Sequence, residues 1–180
     1  MAVGTILLFP GGYGGDGTAG SISATPVLQV STGAASGNIP KLFRMSLKFD
    51  SATDWHWYGN FKLPQNYNGT QAATYPLVRG SFSTDIAGGG TNIQMKFGLC
   101  KASGANNDDV YIAADVSGAV ATHATAQTEQ EFTIQTVTAT SYAAGDTIAW
   151  FIGRDADSGT DSATTANLYL YNLAFEYTTT

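Results

Sequence analysis

From residue 42 onward, apolar and polar residues alternate with a period of two, the pattern of strands that bury one face. In residues 42–50, Phe43, Met45, Leu47 and Phe49 fall on one side and Arg44, Ser46 and Lys48 on the other. Trp55, Trp57, Phe61 and Leu63 share a face in the next run, Gly59 lies between them and Pro64 ends it; His56 then projects to the opposite face. A third strand is expected over residues 77–84. Ile93, Met95, Phe97 and Leu99 alternate in a fourth, Val110, Ile112 and Ala114 in a short fifth, and Phe132, Ile134, Thr136 and Thr138 in a sixth. Ile148, Trp150 and Ile152 mark a seventh, and the aromatic run 168–177 an eighth.

Turn chemistry separates these runs: Gln65-Asn66-Tyr67-Asn68-Gly69, the triple glycine 88–90, residues 104–108, Ala144-Gly145-Asp146 and residues 155–162. Residues 116–130, rich in Ala, carry Gly118 and several Thr and lack an apolar stripe at helical spacing, so a long loop is expected there. Eight antiparallel strands with long connections predict an all-β fold, an antiparallel eight-stranded jelly-roll sandwich. An immunoglobulin-like sandwich is the rival, but the Cys-Trp-Cys spacing is missing.

The first forty residues read differently. Residues 11–20 hold six glycines, too few side chains to pack. Apolar stretches flank them, with Ile6, Leu7, Leu8 and Phe9 before and Val27 and Leu28 after. The expectation is an N-terminal extended arm over residues 1–40, with one or two strands able to join a neighbouring sheet edge, followed by a sandwich domain over 41–180.

Composition narrows the function classes. Only 12% of the 180 residues are charged, and eight basic against fourteen acidic side chains give a net charge of −6. No basic stripe exists to neutralise phosphates, which argues against nucleic-acid binding. No apolar run is long enough for a membrane helix, and the apolar start lacks the preceding positive charge of an export signal, so synthesis in the cytoplasm is expected. Cys100 is the only cysteine, which leaves no intrachain disulfide and reads as a small buried apolar residue.

Chemistry-bearing residues are sparse. His56 and His123 are the only histidines, neither beside a recognisable nucleophile, so no enzyme is expected. Asp155, Asp157 and Asp161 surround Gly159 and are candidate oxygen ligands for Ca²⁺, although the spacing departs from the EF-hand loop; Arg154 beside them is a candidate ion-pair partner. No other cofactor is implied. The sequon Asn68-Gly69-Thr70 has no secretory signal to accompany it. Among the aromatics clustered at 55–67, alternation sends Trp55 and Trp57 inward, which leaves Tyr58 and Tyr67 as candidate glycan-facing rings.

Three features occur together: residues 55–69, with a strand ending in Leu63-Pro64; residues 144–155, with a Gly145-Asp146 turn feeding a strand that ends in Arg154-Asp155; and the closing aromatic strand 168–177. Together they resemble the jelly-roll virion proteins of tailed phages, of the capsid-decoration or head-fibre type. The resemblance covers roughly residues 42–177 and leaves 1–40 unmatched. It implies a virion structural protein, a homotrimer on the particle surface whose partners are the major capsid protein or other virion proteins. The alternative carried beside it is a carbohydrate-binding module or receptor-binding tip whose partner is a cell-surface glycan.

Overall fold

The computed structural model describes residues 2–15, 27–30, 43–51, 55–102, 115–135, 137 and 142–180. Within them the chain is all-β, with no helix, and its strands pair antiparallel. In chain order they are β1 (Val3–Leu7), β2 (Gly12–Gly15), β3 (Val27–Val30), β4 (Phe43–Phe49), β5 (Trp55–Lys62), β6 (Leu77–Thr84) and β7 (Asn92–Ile93). Then follow β8 (Met95–Lys101), β9 (Asp115–Val116), β10 (Val120–Ala121), β11 (Gln130–Ile134), β12 (Thr147–Arg154) and β13 (Leu168–Thr178). One sheet has the order β11-β6-β13-β4-β3, with β1 also on β13; the other has the order β2-β5-β12-β8-β9, and β7 pairs β10 in a small ribbon.

Strand alternation does what the sequence pattern demands. From the five-stranded sheet, Trp57, Ile148, Trp150, Ile152, Phe97 and Leu99 are buried; from the six-stranded sheet, Phe49, Val78, Phe82, Phe132, Leu170, Leu173 and Phe175. These side chains form one cluster between the sheets, a sandwich core. Cys100 is buried, as its residue type suggested. The expected fourth strand is broken at Gln94, whose backbone N–H is taken by the carboxylate of Asp161, so that β7 and β8 pair with different partners. A bulge between Leu170 and Asn172 interrupts the long closing strand. Residues 110–114, expected as the fifth strand, lie outside the described residues, as do Thr136 and Thr138.

The eight-strand expectation is corrected at the N-terminus. β1 pairs β13 over Val3–Leu7, β2 pairs β5 and β3 pairs β4, all within the same chain. Leu8 is buried in the core and Ile6 packs against it. The apolar stretches thus add strands to sheet edges as expected, but to the sheets of their own chain, and Gly12–Gly15 is a strand rather than a linker. Between β1 and β2 the chain crosses from one sheet to the other: Leu8 N–H donates to the Leu173 carbonyl at 2.9 Å and Gly11 N–H to the Tyr58 carbonyl at 2.8 Å. For Val27 and Leu28, only the backbone pairing with β4 is described.

A glycine–aromatic rule runs through both sheets. Gly4 is registered with Tyr177, Gly59 with Trp150, Gly80 with Phe132, Gly98 with Phe151 and Gly153 with His56. In each pair the ring lies so close over the glycine that an added Cβ would come within 2.2–2.6 Å of it. A ring resting on a bare backbone restores the contact area that the glycine lacks.

Candidate functional site

Three of those glycine–aromatic pairs face the core. The other two, Gly98–Phe151 and Gly153–His56, lie on the outer face of the five-stranded sheet, and they are adjacent because both use β12. Register lays that face out as rows across β5, β12 and β8. One row holds His56, Gly153 and Lys96; the next Tyr58, Phe151 and Gly98; the third Asn60, Ala149 and Cys100; and Lys62 stands opposite Thr147 at the end.

The first two rows form an aromatic cluster. The His56 ring meets Phe151 edge-on, with centroids 5.1 Å apart and planes at 89°. Tyr58 lies 6.4 Å from Phe151 and 6.1 Å from His56, both at 49°. These separations are those of favourable aromatic pairs. His56 is buried, while Tyr58 and Phe151 are half-buried and Asn60 and Lys62 are exposed. The aliphatic stem of Lys96 flanks Gly153, and its ammonium meets Asp155 at 3.5 Å. The product is a face with an apolar aromatic centre on a glycine floor, bordered by a carboxamide, a phenol and an ion pair.

Other candidates from the sequence fare differently. Tyr58 stands on this face; Tyr67 does not. Tyr67 is 3% exposed, its ring lies tilted against that of Tyr177 inside the core with centroids 5.6 Å apart, and burial raises its pKa. Its role as a glycan-facing ring is therefore corrected. His56 projects away from Trp55 and Trp57, as alternation required, but it is enclosed by its neighbours rather than exposed. His123 sits in a loop, its Nδ1 accepting the Thr125 N–H at 2.9 Å.

The three aspartates do not converge on a cation. Asp161 is fully buried and forks onto Arg154, with Nε to Oδ2 at 2.8 Å and Nη2 to Oδ1 at 2.7 Å. Asp155 faces Lys96, and Asp157 is exposed. Among the described residues no group of three or more His, Cys, Asp or Glu is arranged to hold a metal. The guanidinium supplies the positive charge that the Ca²⁺ reading assigned to an ion. It also donates to the carbonyls of Ala163 (2.7 Å), Ala166 (2.5 Å) and Asp50 (3.4 Å), which ties down the 155–166 loop.

Sequence reasoning missed Phe151 and Asn60 and set His56 aside. The signal that finds them is register: glycines opposite aromatics across a strand pair on the outward parity, a relation between positions about fifty or a hundred residues apart.

No family model matches this chain, and no curated protein matches it. Among solved structures it is similar to TmCBM61, a carbohydrate-binding module in complex with β-1,4-galactotriose, at 7% identity and a TM-score of 0.42 over 91% of this chain and 85% of that one. It is similar to the family 30 carbohydrate-binding module of a cellulosomal cellulase of Clostridium thermocellum, at 10% identity and a TM-score of 0.46 over 97% of each chain. It also resembles xylanase 10B modules of the same organism complexed with xylohexaose, at 10% identity and a TM-score of 0.34 over 85% of this chain and 24% of that one. The expectation of a phage capsid-decoration protein is corrected. The first two structures named are carbohydrate-binding modules where a virion protein was expected, and the strands expected to reach a neighbouring subunit pair within their own chain.

Proposed function

We propose that the chain binds carbohydrate, without transforming it, on the outer face of the five-stranded sheet. One observation carries this reading: the half-buried rings of Phe151 and Tyr58, with His56 packed behind them, on a floor of glycine backbone. A pyranose has a face of C–H groups and a rim of hydroxyls. The negative π-face of an aromatic ring accepts the former, and carboxamide, phenol and ammonium groups meet the latter. Asn60, exposed in the neighbouring row, offers both a donor pair and an acceptor. Phe151 cannot sink into the core, because its parity on β12 is opposite to that of Trp150 and Ile152.

The order β4-β13-β6-β11 in one sheet and β5-β12-β8-β9 in the other supports reading these eight strands as a jelly roll to which β1–β3 are added. Such a fold leaves the outer face of β5, β12 and β8 for a ligand.

The test is calorimetry and affinity electrophoresis against a panel of neutral polysaccharides, beside a glycan array. Each ring contributes about 1 kcal/mol beyond its buried area, so Tyr58→Ala with Phe151→Ala lowers affinity by about tenfold or more. Both side chains are half-buried, so the thermal midpoint should fall somewhat, and the loss of affinity, measured well below the midpoint where the fold is intact, should exceed what that shift explains. A chain that binds no saccharide, or one whose binding survives both substitutions, overturns the proposal.

A further inference from the structure

The edge of the six-stranded sheet at β1 carries a second feature, independent of the aromatic face. Thr179 N–H donates to the Ala2 carbonyl at 3.0 Å and Leu8 N–H to the Leu173 carbonyl at 2.9 Å. In an antiparallel ladder the residues that exchange bonds with one partner alternate with residues whose polar groups face the other way. Even-numbered residues of β1 therefore bond to β13, and Val3, Thr5 and Leu7 turn their N–H and C=O groups to the other side, where no strand among the described residues pairs with β1. The side chains of those same residues point out of the sandwich: Val3 is 49% exposed, Leu7 60%, and Phe9 just beyond them 75%.

Proteins normally blunt such an edge with lysine, proline or a bulge. β1 has none of these, being Val-Gly-Thr-Ile-Leu in unbroken register with β13. The nearest charge on its partner strand, Glu176 opposite Thr5, is neutralised by Arg79 at 3.2 Å.

We propose that this edge docks a second copy of the same chain, antiparallel, about a twofold axis through Thr5. The occupant follows from self-complementarity. With Thr5 opposite Thr5 of the second copy, Val3 falls opposite Leu7, so the pairs that would exchange hydrogen bonds join residues whose backbone groups face outward, while Gly4 and Ile6, bonded to β13, fall opposite each other between them. The same register sets the exposed Val3 and Leu7 side chains beside each other on one face, where they cover apolar area on both copies. At a net charge of −6 the two molecules repel, and a neutral strand flanked by a closed ion pair is where approach costs least. A twofold contact is isologous and consumes the edge, so assembly stops at two. Five residues of strand fall short of the roughly 1,200 Å² of a standard interface, which sets the affinity in the weak, concentration-dependent range.

Sedimentation velocity from about 1 µM to about 500 µM tests this, a span chosen for micromolar dissociation constants. The wild type should pass from monomer to dimer with no larger species. Thr5→Pro removes one outward N–H and no bond to β13, and Leu7→Lys places a charge at the joint. Each should stay monomeric throughout with an unchanged thermal midpoint. A wild type that is monomeric at every concentration, a series of larger oligomers, or a dimer that persists in both variants overturns the proposal.

Discussion

Replacing Asp161 by asparagine removes one negative charge from the most enclosed ion pair among the described residues. Both Arg154 and Asp161 have side-chain exposures of 0%. The guanidinium spends its donors on the two Asp161 oxygens and the carbonyls of Ala163, Ala166 and Asp50; the carboxylate also accepts the backbone N–H groups of Gln94 and Ala163, each at 3.2 Å. Asparagine keeps the shape but offers one acceptor and turns an amide N–H₂ toward a cation. Leaving a buried charge uncompensated costs about 3–5 kcal/mol, a large part of a stability of about 5–15 kcal/mol. At about 2–4 °C per kcal/mol for a chain of this size, Asp161→Asn should lower the midpoint by about 6–20 °C. Arg154→Lys keeps the charge but loses the fork, which strands loop carbonyls at about 1–3 kcal/mol each. Thermal unfolding read by the fluorescence of the buried Trp57 and Trp150 measures both changes. Added salt should not reduce them, because the pair is shielded from solvent. A shift under about 2 °C for Asp161→Asn, or full rescue by high salt, would refute the reasoning.

Three further outcomes follow from the structure. Midpoints of the wild type in millimolar Ca²⁺ and in EDTA should coincide, since Asp161 is committed to Arg154; a clear rise with Ca²⁺ would restore the aspartates as ligands. Gly98→Ala puts a Cβ 2.2 Å from the Phe151 ring, whose outer end can swing aside, so saccharide affinity should fall more than stability does; loss of folding with no separable effect on binding would contradict this. The Tyr142 hydroxyl is buried without a hydrogen-bond partner among the described residues, so Tyr142→Phe should leave neutral-pH stability equal or raise it by about 1 kcal/mol in a urea titration. Burial first, then the neighbouring Cys100 and Tyr67, pushes the Tyr142 pKa up to about 12. Because the folded state holds that proton more tightly than the unfolded chain, the stability it contributes is present below pH 10 and lost as pH rises toward 12; the phenylalanine variant should lose less over that window.

How far the sequence reaches can be judged strand by strand. The strand at residues 77–84 is legible to the residue, because bulky β-branched and aromatic positions are bounded by a proline and a polar turn. The inward direction of Trp55 and Trp57 and the outward direction of His56 follow from parity alone, and the structure keeps both. Tyr67 misled because it sits in a turn-like Asn-Tyr-Asn-Gly segment, where local chemistry predicts exposure. In the fold that turn is roofed by the closing strand, where Thr178 donates its N–H to Gln71 at 2.7 Å and the Tyr177 ring covers Tyr67. The aspartates misled for a similar reason: ligand-like spacing along the chain carries no information about which oxygens a buried arginine has taken.

For the described residues, the sequence by itself determined the secondary structure class, the lack of helix and the inward parity of strands such as β5, β8 and β12, because alternation and turn chemistry are local. Tertiary structure alone decided which strands are neighbours and in what register. Register is set by contacts far apart in the chain, as when Phe151 meets Gly98 and Gly153 meets His56. A shift of one residue would turn either ring to the other face. The aromatic platform and the open edge of β1 both exist only through that non-local choice.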